Sequence, residues 1–374
     1  MLLALSGCGS DFFGSRTDGC TESGFFVSSG CGGSGGTGTA KFAYVANFNN
    51  ASAGTISAFT LNASTGALTS TGSSFPTGSG GLSDGPAALA VVGNFLYSAN
   101  DGGGVSAFTI ATSTGGLATI NGSPFAAGQL PTAIISDPAG KFIYVANSGS
   151  DSISVYSINS TSGGLTPTAN SPVGLNGSPF GLAISPNGKF LYAAQGATGV
   201  AVFTVNSTSG DLTFVKDVPP FLGGSPQGLL VEASGKFLYV ADGVAGVEAF
   251  NINATSGDLS PQRSTAYTSG NGPIALTSDS TGKFLYVANQ SSNDVSGFAI
   301  LTDGSLTPLA GSPYTAGSSP SWIKIDPSNK FVYVTNLTGS PGISIFAIDT
   351  TTAGKLNTAG SANAGTNPAS IAFR

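Results

Sequence analysis

Hydrolytic chemistry requires a group that activates water and a donor that stabilises the developing negative charge. This chain offers few of either. Its 374 residues contain no histidine, which removes the commonest general base and the commonest metal ligand together. Ser-His-Asp and Cys-His nucleophile systems are therefore excluded, as are histidine-ligated zinc sites, and any catalysis falls to carboxylates, Lys, Arg or Tyr. Two side chains are candidates. Asp101 heads a Gly102-Gly103-Gly104 loop, and Lys324 interrupts an apolar stretch whose counterparts elsewhere are Ala90, Ile135, Ala183, Leu230, Thr277 and Ala372. A lysine in such surroundings must be paired, reach outward or lose its charge. Uncharged, it would serve as a base or nucleophile; pairing with a nearby Asp is the commoner arrangement.

Binding chemistry has its own candidates. Trp322 is the only tryptophan, and is either a stacking platform for a sugar or aromatic ligand or a plug between structural units. With Phe180, Gln227 and Ser321, which also follow recurring prolines, it makes up the candidate ligand-binding set. Asp242 replaces Asn in a recurring phrase; together with Asp101 and loop carbonyls it could hold calcium. No other cofactor or metal is implied. Glu232 and Glu248 also break the pattern and are read as solvated turn or edge residues.

What positions these residues is a repeat. The phrase Lys-Phe-aliphatic-Tyr-Val-Ala-Asn, or a close variant, returns around Tyr44, Tyr97, Tyr144, Tyr192, Tyr239, Tyr286 and Tyr333, at intervals of 47 or 48 residues after a first of 53. A period of this length marks a solenoid, array or propeller. Within one unit, Pro179–Ile184 reads as a short apolar strand, Ser185–Lys189 as a turn, and Phe190–Ala194 as a second strand. Gly199–Val205 and Leu212–Phe214 supply a third and a weaker fourth. Four meandering antiparallel strands describe a propeller blade. Prolines lead the first strand at Pro86, Pro131, Pro179, Pro226, Pro273, Pro320 and Pro368, and glycines from Gly66 to Gly354 bend the chain before the fourth. The five lysines Lys141, Lys189, Lys236, Lys283 and Lys330 follow one turn in register and are structural. The first unit lacks a leading strand, and the chain ends on one, Pro368–Phe373. The expected fold is a seven-bladed β-propeller of four-stranded antiparallel blades, its ring closed by the C-terminal strand joining the first blade.

Charged residues make up only 8% of the chain and the formal net charge is -6. The twelve Lys and Arg form no cluster, so the electrostatic footprint of a nucleic-acid binder is missing. No run of eighteen or more apolar residues could span a bilayer. At the N-terminus, Leu5-Ser6-Gly7-Cys8 resembles a lipobox, in which Cys8 would carry lipid. Cys20 and Cys31 then remain as an even pair able to close a disulfide in an oxidising compartment. Gly32–Gly38 reads as a flexible tether. The chain thus divides into a truncated lipoprotein signal with its tether, 1–39, and the propeller, 40–374, outside the cytoplasm and held to the membrane only through the anchor.

The phrases Pro-x-x-aliphatic, Pro186-Asn187-Gly188-Lys189, Tyr144-Val145-Ala146-Asn147 and Val105-Ser106-Ala107-Phe108 resemble, in that order within a unit, those of the lactonase-type seven-bladed propellers. That family includes 6-phosphogluconolactonase and carboxy-muconate cyclase relatives. Tyr333-Val334-Thr335-Asn336 also spells the signature of YVTN surface-layer repeats. The resemblance covers residues 41–374. It implies lactone hydrolysis, with Arg or His after the leading proline and Glu after the Tyr-Val-x-Asn phrase; Asp101 alone has a counterpart among these. Three functions follow from the sequence. The leading one is an exported, monomeric binding module for a glycan, small molecule or surface protein. A divergent lactone hydrolase is the alternative, and a self-associating coat component is the third.

Overall fold

The computed structural model describes residues 40–48, 54–78, 85–219 and 224–374. Cys8, Cys20, Cys31 and the tether lie outside these residues. Seven antiparallel sheets form the seven blades, each built in chain order from an inner strand outward. Blade seven is typical: Pro320–Ile325, Phe331–Asn336, Ile343–Ile348 and Leu356–Ala362 follow one another across the sheet. In blades two, three and six the outer strand is split, and a short second piece (Phe125–Ala126, Val173–Gly174 and Tyr314–Thr315) pairs with the third strand. The bend in blade four contains a short 3-10 turn, Gly196–Thr198.

The second strands show why this sequence makes blades. Phe142–Asn147 is buried at every position, because both faces of the strand pack on neighbouring blades rather than on water. An uninterrupted β-favouring apolar run suits that place, whereas an alternating one would not. Ring closure is as expected from the ends of the chain. The inner strand of blade one is Pro368–Phe373, paired with Phe42–Asn47 in the register Ala43 to Phe373 and Tyr44 to Ala372.

The recurring tyrosines and bend glycines turn out to be one device. Each second-strand tyrosine donates its hydroxyl to the bend-glycine carbonyl of the next blade: Tyr44 to Gly115 (2.9 Å), Tyr97 to Gly163 (2.8 Å), Tyr144 to Gly210 (3.1 Å), Tyr192 to Gly257 (3.0 Å). Tyr239 to Gly304 (2.7 Å), Tyr286 to Gly354 (2.6 Å) and Tyr333 to Gly66 (2.7 Å) complete the circle, the last spanning the closure seam. The same glycines must be glycines. Gly66 has φ +72°, and a Cβ there would lie 2.5 Å from the Phe331 ring. Gly66→Ala is therefore expected to cost about 2–5 kcal/mol, the left-handed backbone and overpacking together. Gly72, at φ +76° with nothing near its missing Cβ, supplies the control: Gly72→Ala should lose only about 1–2 kcal/mol. Denaturant unfolding of the pair measures the difference; equal losses would mean that the seam does not hold the ring.

Beneath four of the blades, an acid caps the turn between first and second strands. Asp137, Asp279 and Asp326 accept the N–H groups of Lys141, Lys283 and Lys330 at 2.6, 2.8 and 3.0 Å. Glu232 does the same for Lys236 at 2.9 Å. It is a buried turn cap, not the solvated residue expected from sequence. The longer side chain replaces Asp by spanning the same gap.

Candidate functional site

The inner strands begin at one mouth of the central channel, and a bulge there decides which side chains reach it. In six blades the pairing of inner and second strands skips the residue after the leading proline, as where Pro226 faces Asp242 but Gly228 faces Ala241. A bulge leaves one residue out of the ladder and re-aims its side chain. That place holds Ala87, Thr132, Gln227, Ile274, Ser321 and Ala369, with Phe180 equivalent in blade four. A second ring lies beside it, where in six blades the residue after the second strand donates its N–H to the carbonyl just before the proline. Asp101 bonds to Gly85 (3.0 Å), Ser148 to Leu130 (2.9 Å), Gly243 to Ser225 (3.2 Å), Gln290 to Gly272 (2.8 Å) and Leu337 to Ser319 (2.8 Å). Phe48 bonds to Asn367 in the same way (2.9 Å).

Asp101 is the one charged side chain of these two rings and is half-buried. Around the same mouth stand the amides of Gln227 and Gln290, the hydroxyls of Thr132 and Ser148, and the rings of Phe48 and Phe180. A carboxylate can take a proton from water, amide N–H groups can donate to an oxyanion, and ring faces can stack on a sugar. Phe180 and Gln227 are brought together between blades four and five. Gly196, at φ +52°, faces both the Phe180 ring and the Ser225 hydroxyl, where a Cβ would come within 3.2 and 3.7 Å of them. Gln227 Nε2 in turn donates to Ser225 Oγ at 3.1 Å.

The other two members of the predicted binding set are elsewhere. Trp322 is 1% exposed and packs in the apolar cluster at the seam of blades seven and one, with Ile323, Val334 and Phe373. It is a plug, not a platform, because the bulge turns its neighbour rather than itself toward the mouth. That neighbour, Ser321, is also closed off: its hydroxyl bonds with Thr335 Oγ1 at 2.9 Å and donates to the Pro368 carbonyl of blade one at 2.8 Å. Gln290 and Ser225 are mouth residues that sequence reasoning missed. The position after the Tyr-x-x-Asn phrase was the available signal for Gln290.

Asp242 does not join Asp101 at the mouth. Asp242 is fully buried, and its Oδ1 accepts the N–H groups of Ser225, Val244 and Ala245 at 3.0, 3.0 and 3.1 Å. Among the described residues no group of three or more acids, cysteines or histidines converges on a point. Asp242 fills a place where other blades clamp second strand to third: Asn147 Nδ2 donates to Ser154 Oγ at 3.0 Å and Asn289 Nδ2 to Ser296 Oγ at 2.9 Å. The corresponding third-strand residue of blade five is Glu248. It is 4% exposed, which corrects the solvated-edge reading: its strand is the third of four, covered on both sides. Lys324 is 6% exposed, midway down the inner strand of blade seven.

The family model described as "Lactonase, 7-bladed beta-propeller" matches residues 38–180, 124–220, 175–271 and 222–314. Among solved structures, a candidate 6-phosphogluconolactonase from Bacteroides fragilis is 25% identical, with TM-score 0.72 over 91% of this chain and 100% of that one. A second candidate 6-phosphogluconolactonase, from Bacteroides uniformis, is 20% identical with TM-score 0.73 over 90% and 100%. A periplasmic gluconolactonase from Pseudomonas aeruginosa is 22% identical with TM-score 0.71 over 89% and 98%. No curated protein sequence matches the chain.

Proposed function

This chain belongs to the lactonase family of seven-bladed β-propellers, and from that membership we propose that it hydrolyses lactones of sugar acids at the mouth of its channel. The observation that carries the proposal is Asp101, the one charged group of the two rings and half-open to the channel mouth. In this reading a lactone ring lies against Phe180, Asp101 takes a proton from the attacking water, and the Gln227 and Gln290 amides donate to the oxyanion. The names of the similar structures support a sugar-acid lactone over other esters. A pH-stat assay of the protein with glucono- and galactonolactones is the test. Acid release above the buffer rate is expected, and a flat trace across the panel would end the proposal.

The second reading keeps the ligand class and drops the turnover. It is favoured by the absence of Arg and His from the positions after the leading prolines, and it predicts saturable binding of the same sugars with no acid released. For location, the lipobox ending in Cys8 supports export and a lipid tether. No helix among the described residues is long and apolar enough to cross a membrane.

A further inference from the structure

Of the twelve Lys and Arg, none among the described residues stands at the mouth. Lys41, Lys141, Lys189, Lys236, Lys283 and Lys330 precede second strands at the far end of the blades, where their carbonyls accept an N–H from the last residue of the third strand. Arg374 is bonded to Phe42 at that end through its backbone, and Lys355 follows the bend glycine Gly354. Lys216 and Arg263 are on the outer edges of blades four and five, the first paired with Asp258 at 3.1 Å and the second over the Tyr267 ring at 4.4 Å. Lys324 is four residues down an inner strand from its leading proline. Arg16 lies outside the described residues. The carboxylates are distributed differently. Besides Asp101, Asp151 stands in a connection from second to third strand, and Asp294 opens a third strand opposite Asn289. Asp217 accepts from Gln195, just past a second strand, at 2.8 Å.

The far-end lysines do not offset this field. A second strand such as Phe142–Asn147 holds them roughly 17 Å from the mouth, beyond the screening length of about 8 Å at physiological salt. We propose that the mouth selects uncharged lactones and turns away their phosphate esters, an inference that rests on the lactonase reading. A phosphate monoester brings a charge of about −1.5 to −2, and proteins hold one with Arg, Lys or free backbone N–H groups. The two rings supply no Arg or Lys, and in six blades the second-ring N–H is already given to a carbonyl. What the rings do present besides Asp101 is neutral: the Gln227 and Gln290 amides, the Thr132 and Ser148 hydroxyls, and the Phe48 and Phe180 rings. These groups suit the hydroxyls and ring face of an uncharged sugar. Discrimination thus comes from repulsion of the wrong ligand as much as from attraction of the right one.

Gluconolactone and the phosphate ester of its primary hydroxyl differ only in that charge, and the full chain would be assayed on both. At low ionic strength kcat/KM should be at least about tenfold higher for the uncharged lactone, and the ratio should shrink as sodium chloride is added. Leu337→Arg puts a guanidinium on the second ring and should bring the two substrates within about threefold of each other. Leu301→Arg makes the same change of charge at an exposed bend on the far end, and should leave the ratio as it was. A wild-type ratio near or below one, or a ratio moved equally by the two variants, overturns the proposal while the lactonase reading stands. If neither lactone is turned over, the lactonase reading fails and the preference is read by calorimetric titration with glucose and its phosphate ester. Tighter binding of glucose then sustains the proposal; equal or weaker binding, or no binding of either, overturns it.

Discussion

Raising the pH past about 10, the ordinary pKa of tyrosine, will unfold this protein within a narrow window. The cause is the ring of seven phenols, each fully buried and donating to a glycine carbonyl of the next blade. Burial disfavours the phenolate and pushes all seven far above the usual tyrosine range. In the unfolded chain the same groups ionise near 10. Below that pH both states hold their protons, and the stabilisation is fully present. Above it the unfolded state releases protons that the folded state keeps, so stability is lost as pH climbs toward the raised values. Seven such groups give a slope of about 10 kcal/mol per pH unit. A domain with the usual stability of about 5–15 kcal/mol is consumed in about one to two units. Circular dichroism and phenolate absorbance should therefore change together in one steep step. Seven phenolates appearing near pH 10 while the β signal stayed intact would refute the ring as the element that holds the blades in place.

That ring also marks how far the sequence could be read. The tyrosines and the bend glycines were each visible as repeats, and the period with the lone final strand Pro368–Phe373 specified the blade number and the closure. The bond between them was not visible, since Tyr97 and Gly163 are separated by 66 residues and sequence reasoning assigns each to its own unit. The mouth was legible to the extent that the bulge was anticipated. Phe180 and Gln227 sit at skipped or equivalent positions and do reach it, whereas Trp322 is one residue further on and is turned into the seam. Ser321 occupies the skipped place and is still lost to it, because Thr335 and the Pro368 carbonyl take its hydroxyl. Glu232 and Glu248 were misplaced for a different reason. An acid in a mostly uncharged chain reads as solvated, but here the backbone turn consumes one and the covered third strand encloses the other.

Asp101→Asn should lower kcat toward sugar-acid lactones by about 10²–10⁴-fold with little change in KM. The size is that of losing a positioned general base, and the substitution keeps the shape and the polar contacts that bind the ground state. Removing ring contact instead, with Phe180→Ala, should raise KM by roughly tenfold and leave kcat near its starting value, the pattern of lost uniform binding. The obvious objection is that any carboxylate near the mouth would lower the rate when removed, simply by changing the field. Asp151→Asn answers it. Asp151 lies beyond the second strand of the next blade, and its carboxylate is occupied by the Ser178 hydroxyl at 2.7 Å, so its loss should leave the rate within about twofold, screened as exposed charges are. If both aspartate variants fell equally, the mouth would owe its activity to net charge and not to a base. If Asp101→Asn kept more than about a tenth of the wild-type rate, the proton would have to go elsewhere. With no histidine in the chain, the other carboxylates near this end among the described residues include Asp217 and Asp294, which accept from Gln195 Nε2 at 2.8 Å and Asn289 Nδ2 at 2.6 Å. Asp101 is set apart from them by its place, as the one charged side chain of the two rings at the mouth.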